Sequence, residues 1–210
     1  MILDRNLLTG FFGGQRSQTE IDLCNKSISG FDIDAFKAYP HVRILELSDN
    51  AIKTIPNGLF DPMYALTALY LRGNLLEKLP TCWLRKVNQL STFYLSKNRI
   101  TSIDASFFQN LNRMEVLDIS HNLLTSVPSL QSCNSLTSLS LSNNKIQSIK
   151  AADFIGLEKN LASLDLSNNN IQVIEPGAFK NLSALTLEGL DLSGNPITDG
   201  MPYDTNWLEY

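Results

Sequence analysis

The chain has 210 residues, 43% of them hydrophobic and 18% charged, and a formal net charge of -4. That is enough apolar material for one domain with a full core, and no apolar run reaches the ~18 residues a membrane-spanning helix needs. The mild acidity weighs against nucleic acid as a partner, which would select a basic stripe.

The start, Met1-Ile-Leu-Asp4-Arg5-Asn6, carries charges where a secretion signal has its apolar stretch. Either the protein is not secreted by that route or the chain is an excerpt of a longer one. Leu3, Asn6, Leu8 and Phe11 share the spacing of Leu47, Asn50, Ile52 and Ile55, as half a repeat or by coincidence. A degenerate unit follows, with Leu23, Ile28 and Phe31 in register but Gln18 and Lys26 where Leu and Asn are expected. From Val42 the frame is regular: Val42-Arg-Ile-Leu45-Glu-Leu47-Ser-Asp-Asn50-Ala-Ile52, then Leu66 to Leu76, with further copies from Leu90, Met114, Leu136, Leu161 and Leu187. Their asparagines, Asn50, Asn74, Asn98, Asn122, Asn144, Asn169 and Asn195, recur at steps of 24, 24, 24, 22, 25 and 26.

A fixed period of this length marks a solenoid whose units bury one another's apolar faces. The alternating Leu-x-Leu stretch predicts one short strand per unit, stacked into a parallel sheet. After each strand the chain turns sharply in a confined space, where an unpaired backbone group costs about 1–3 kcal/mol. A side-chain amide supplies both donors and an acceptor, so the Asn column reads as a structural ladder. Ten residues after six of the consensus positions stands a large apolar residue: Phe36, Phe60, Leu84, Phe108, Phe154 and Phe179. These predict an aromatic spine inside the outer side, which the short repeat from Met114 lacks. Outer segments such as Asp104 to Phe108 and Ala151 to Ile155 read as single helical or 3₁₀ turns, with Asp104 as an N-cap.

Seven copies of LxxLxLxxNxL resemble the leucine-rich repeat family, over residues 18–197. The continuations Ile55-Pro56 to Phe60 and Ile174 to Phe179 resemble its typical 24-residue class, frequent in extracellular and receptor proteins. The resemblance implies an α/β fold: a horseshoe solenoid with a concave parallel β-sheet and short helical, 3₁₀ or irregular convex segments. Secreted relatives often close both ends with cysteine clusters, which this chain lacks. Residues 1–17 then form an N-terminal segment, a partial repeat or cap in which Phe11 and Phe12 cover the first turn. Residues 198–210 form a capping tail in which Trp207 and Leu208 cover the last.

Cys24, Cys82 and Cys133 fall in alternate units, about 10 Å apart by strand spacing. A disulfide needs Cα atoms within about 7 Å, so all three are expected to be free. Unbridged cysteines lean toward a reducing compartment and the repeat class leans the other way, which leaves localisation open.

The residue between the second and third apolar positions points out of the sheet. That column reads Asp22, Glu46, Tyr70, Tyr94, Asp118, Ser140, Asp165 and Asp191. Tyr70 and Tyr94 interrupt it, with Arg72, Lys97 and His121 beside them. Tyrosine and arginine are common binding hot spots. Glu46, Tyr70, Arg72, Tyr94, Lys97, Asp118 and His121 are therefore the candidate partner-binding residues; the alternative is a Tyr–Tyr stack that only stabilises the sheet.

The acidic pairs do not amount to a calcium site, which needs six or more converging oxygens, and two histidines do not make a zinc site. Asp118, Ser120 and His121 invite a catalytic reading, but Ser is the consensus at its position and no oriented base or concavity accompanies it. The expectation is a non-enzymatic protein-binding module without metal or cofactor. Its alternative is a sensor segment of a larger receptor or kinase whose catalytic part lies elsewhere. The partner's identity and the oligomeric state are not encoded legibly.

Overall fold

A computed structural model describes residues 1–12, 17–79 and 83–198. The chain opens with β1 (Ile2–Leu3) and α1 (Arg5–Phe12), followed by β2 (Glu20–Asp22) and β3 (Gly30–Phe31). Next come β4 (Ile44–Glu46), β5 (Ala68–Tyr70), β6 (Lys78–Leu79), β7 (Thr92–Tyr94), β8 (Ser102–Ile103) and β9 (Val116–Asp118). The last elements are β10 (Ser138–Ser140), β11 (Ser148–Ile149), β12 (Ser163–Asp165), β13 (Val173–Ile174), a 3₁₀ turn (Leu187–Gly189) and β14 (Leu190–Asp191). Strands β2, β4, β5, β7, β9, β10, β12 and β14 form one eight-stranded parallel sheet in chain order. Its register aligns Asp22, Glu46, Tyr70, Tyr94, Asp118, Ser140, Asp165 and Asp191 in one row. The repeat thus builds the parallel-strand solenoid that its period implies.

The asparagines tie each unit to the one before it. Asn98 Nδ2 donates to the carbonyls of Leu95 in its own turn (3.0 Å) and Leu71 in the preceding one (2.9 Å). Its Oδ1 accepts the N–H of Leu76 at 3.0 Å. The same backward pattern holds at Asn50, Asn74, Asn122, Asn144, Asn169 and Asn195. Lys26 at the first position is served rather than serving, since its N–H donates to Asn50 Oδ1 at 3.0 Å. The first unit therefore functions with a lysine where every later one has asparagine.

The spine is more complete than a forward count from the asparagines suggests. In several units the spine residue leads by i→i+3 hydrogen bonds to the next repeat: Phe60 to Met63 to Leu66, and Phe108 to Leu111 to Met114. In the short unit the same bonds run from Leu130 to Cys133 to Leu136. Leu130 is buried and takes the spine place two residues early, so the missing residues come out of the stretch before it. Phe36 and Phe60 stack at 6.1 Å, as do Phe154 and Phe179 at 5.6 Å. Cys133 is thereby a core residue on the outer side, whereas Cys24 stands at the sheet's end. Both are free, and burial pushes the Cys133 thiol up to about 12. Cys82 lies outside the described residues.

Three other expectations shift. Leu3 pairs with Phe31 in parallel, and Phe31 holds the place of Ile55. The N-terminal segment is therefore the outer half of a unit, in a frame other than the Leu47–Asn50 one. Leu8 falls in the spine column and is buried, while Asn6 is exposed on α1. Phe12 packs against the core but Phe11 is 44% exposed, so the first turn is covered mainly by Leu3, Leu8 and Phe12. The convex segments, expected as short helical, 3₁₀ or irregular pieces, are successive i→i+3 turns interspersed with the two-stranded parallel ladders β6–β8 and β11–β13. Asp104 there accepts the N–H of Ser106 at 3.2 Å, closing a local turn rather than capping a helix. In the last unit Leu185, not Leu187, completes the Phe179–Leu182 series and is buried. The two extra residues are absorbed by the 3₁₀ turn, where Gly189 passes so close to the Ala162 carbonyl that a Cβ would collide with it. Trp207 and Leu208 lie outside the described residues.

Replacing Asn98 with Ala leaves the Leu76 N–H without its acceptor and takes one of two asparagine donors from the carbonyls of Leu71 and Leu95, which keep Asn74 and Asn122. Urea denaturation should show a loss of about 1–3 kcal/mol. Asn195→Ala, at a partly buried position, should lose less. In native protein, iodoacetamide should modify Cys24 and spare Cys133, as peptide mass mapping will show.

Candidate interaction face of the concave sheet

Side chains alternate across a strand, so the row from Asp22 to Asp191 shares its face with the residues two positions earlier. Those are Glu20, Ile44, Ala68, Thr92, Val116, Ser138 and Ser163. Sequence reading by repeat frame passed over this row. Counting back two from each outward residue would have found it. Its central members put Ile44, Ala68 and Val116 beside the tyrosines. Tyr70 and Tyr94 lie 5.2 Å apart, with rings 6° from parallel. Burial, then Tyr94, Glu46 and Glu20, raise the Tyr70 phenol above its ordinary value.

The acidic members of the outward row fold back on their own turns. Asp22 accepts the N–H of Cys24 (2.9 Å), Glu46 that of Ser48 (2.6 Å), and Asp118 that of Ser120 (2.9 Å). Asp165 does the same for Ser167 (3.0 Å) and Asp191 for Ser193 (2.8 Å). Burial pushes the Asp165 carboxyl up, but hydrogen bonds from Ser167, Ser142 and Ser140 outweigh it and hold the group below the usual range. Glu46 and Asp118 therefore support the backbone as well as charging the surface. Where tyrosine replaces the acid, no side chain takes this role. Among the described residues no acceptor meets the N–H groups of Arg72 and Ser96.

Lys97 and His121 share a backbone constraint. They belong to a row with left-handed backbone: Asn25, Asp49, Lys97, His121, Asn143 and Asn168 have φ of 53 to 55°, and Gly73 and Gly194 have 66 and 70°. Those from Asn25 to Asn168 each donate the N–H to a carbonyl of the next unit, as Lys97 does to Ser120 at 3.1 Å. Asn, Asp, His and Gly suit this conformation; lysine does not. Lys97 and His121 are both exposed, His121 at the end of β9 beyond Asp118. Arg72 is exposed at the end of β5, and among the described residues neither Arg72 nor Lys97 forms an ion pair. Ser120 is buried with its N–H on Asp118. No group of three His, Cys, Asp or Glu side chains converges among the described residues.

Lys97→Gly should stabilise the fold by about 0.5–1 kcal/mol by relieving the left-handed residue. Gly73→Ala should cost about 2 kcal/mol or more, since a Cβ there also meets the Asp49 carboxylate. Asp165 is held below its unfolded value, so its contribution is present above the ordinary carboxylate range and is lost as pH falls through the folded one. Asp165→Asn should therefore be less stable than wild type at pH 7, and the gap in urea midpoint should close toward pH 3.

The sequence profile of the family described as leucine rich repeat matches residues 16–76, 88–146 and 134–197. No curated protein matches the chain. Among solved structures, TLR13 in its complex with ssRNA13 is similar at 26% identity and a TM-score of 0.80, over 88% of this chain and 26% of that one. Toll in the Toll–Spatzle complex of Drosophila is similar at 26% identity and 0.74, over 92% and 28%. The LRIM1/APL1C complex is similar at 26% identity and 0.77, over 92% and 38%. The chain thus spans between about a quarter and two fifths of these relatives. With the profile matching well over half its length, the chain belongs to the leucine-rich repeat family.

Proposed function

We propose that this protein is a non-catalytic recognition module that binds another protein through its concave sheet. Residues 18–197 are the binding unit, Leu3, Leu8 and Phe12 cover its first turn, and the tail from residue 199 on lies outside the described residues. The observation that carries this reading is the stacked Tyr70–Tyr94 pair, which breaks a row of self-bonded acids. Ile44, Ala68 and Val116 flank it on the same face, and Arg72 and Lys97 stand unpaired at its edge. An aromatic and aliphatic centre with arginine and a polar rim is the usual anatomy of a protein interface. Glu46 and Asp118 bound the patch, and His121 lies at its far end. A rigid sheet presenting such a patch loses little entropy on association.

The relatives support partner recognition as a class, since Toll is found with Spatzle and LRIM1 with APL1C. TLR13 is found with single-stranded RNA. For this chain we favour protein, because the acids on both sides of the tyrosines repel phosphate. A second reading, a sensor segment of a larger receptor or kinase, is favoured by the small share of each relative that the chain spans. The full reading frame of the gene separates the two.

The test immobilises wild type, Tyr70→Ala, Tyr94→Ala and the outer-face variant Gln131→Ala, and measures capture of proteins from a native extract and of a single-stranded RNA oligonucleotide. Proteins held by wild type and the outer-face variant should be lost by about 30-fold with either tyrosine variant, a change of ~2 kcal/mol. If both tyrosine variants keep their binding within ~0.5 kcal/mol while still folded, the patch is not the interface. Capture of RNA but no protein would overturn the choice of partner class.

A further inference from the structure

The outward row of the sheet contains a repeated bond and, among the described residues, three places where it is missing, at Tyr70, Tyr94 and Ser140. In five units a carboxylate of this chain accepts the N–H two residues on, at Cys24, Ser48, Ser120, Ser167 and Ser193. At the two tyrosine units no carboxylate is present, and the Arg72 and Ser96 N–H groups stay unmet among the described residues. The two tyrosine units are adjacent, whereas Ser140 stands alone between Asp118 and Asp165. The exposed Arg72 and Lys97, neither in an ion pair, stand at the same two turns. Two backbone donors and two cations thus belong to adjacent turns, where other turns hold a carboxylate of the chain's own.

Resting on the concave-face reading, we propose that the Tyr70–Tyr94 step receives an aspartate or glutamate side chain of a partner protein. The incoming carboxylate takes the place the chain's own acids hold in the other turns, with Arg72 and Lys97 neutralising it. A charge-assisted bond to backbone N–H is among the stronger hydrogen bonds. The surroundings specify more. Glu46 lies one strand step before Tyr70 and Asp118 one step after Tyr94. The two acids are therefore three steps apart, about 14 Å at 4.8 Å per step. An extended segment advances ~3.4 Å per residue and shows every second side chain on one face. A basic residue two positions before the central acid and another two positions after it span the same ~14 Å. The partner segment that fits is extended and crosses the strands, with the pattern basic–x–acidic–x–basic.

The experiment is a nitrogen-15 NMR titration of the whole chain with two peptides, acetylated and amidated so that only side chains carry charge. One has the core Lys-Gly-Glu-Gly-Lys, the other Lys-Gly-Gln-Gly-Lys. The glutamate peptide should shift the Arg72 and Ser96 amide protons downfield and bind at least fivefold tighter than the glutamine peptide. Tyr94→Asp restores the row's own acceptor for Ser96 without touching the core, and should abolish the response while the remaining spectrum stays native. Equal response to both peptides, shifts confined to other residues, or an unchanged response in Tyr94→Asp would overturn the proposal. Absence of any shift, with tyrosine-dependent protein capture intact, would overturn this carboxylate docking and leave the concave-face reading standing. Loss of both would remove that reading as well.

Discussion

The backward hydrogen bonds of the asparagines are the constraint on which the rest of this molecule depends. Each amide satisfies carbonyls in its own turn and in the preceding one, and takes an N–H from the preceding unit. No unit completes its own backbone bonding; the next unit does it. The apolar residues show the same dependence, since each layer is covered only by its neighbours. Stacking and turning are thus fixed by one side chain per repeat, and the strand spacing of the concave face follows from it. A face with regular spacing is what makes a row of outward residues an address system for a partner.

A second constraint acts at the ends of the concave strands. The chain leaves each strand through a left-handed residue, and in five turns an acid two positions before the small polar residue holds that turn closed. Much of what looks like a charged recognition surface is therefore committed to the backbone. Asp165 makes the point most fully, with its carboxylate taken by the N–H and hydroxyl of Ser167 and approached by Ser140. The side chains left without an internal task are few, and they cluster at the tyrosine units.

How much of this was legible in the sequence depends on the range of the interaction. The Asn column and the outward row were readable because a strand and its turn are local and rigid, so residues at fixed offsets keep fixed roles. The spine was misread at one unit because the offset from Asn122 crosses an outer loop that varies in length. Counted back from Leu136, where the geometry is again rigid, Leu130 falls into place. Leu3 was misplaced for a related reason: three matching spacings do not distinguish the inner half of a unit from the outer half, and only pairing with Phe31 does. Within the candidate site, Tyr70 and Tyr94 stood out as exceptions to a column. Ile44, Ala68 and Val116 did not, because the family frame treats their position as variable. The left-handed row looked like free surface, since a positive φ leaves its mark only in a preference for Asn, Asp, His and Gly that Lys97 breaks.

The tyrosine pair is hard to explain by the stability of the sheet. An offset aromatic stack contributes about 0.5–1.5 kcal/mol beyond its burial. Against that stand two carboxylate-to-backbone bonds that the neighbouring units make and these do not, each worth ~1.5–3 kcal/mol when charged. Two adjacent substitutions that weaken their own turns, expose aromatic surface and leave two cations unpaired are costly as scaffolding. They make sense where a second molecule supplies what the turns lack: an acceptor for the N–H groups, a negative charge for Arg72 and Lys97, and apolar contact for the rings and the aliphatic side chains beside them.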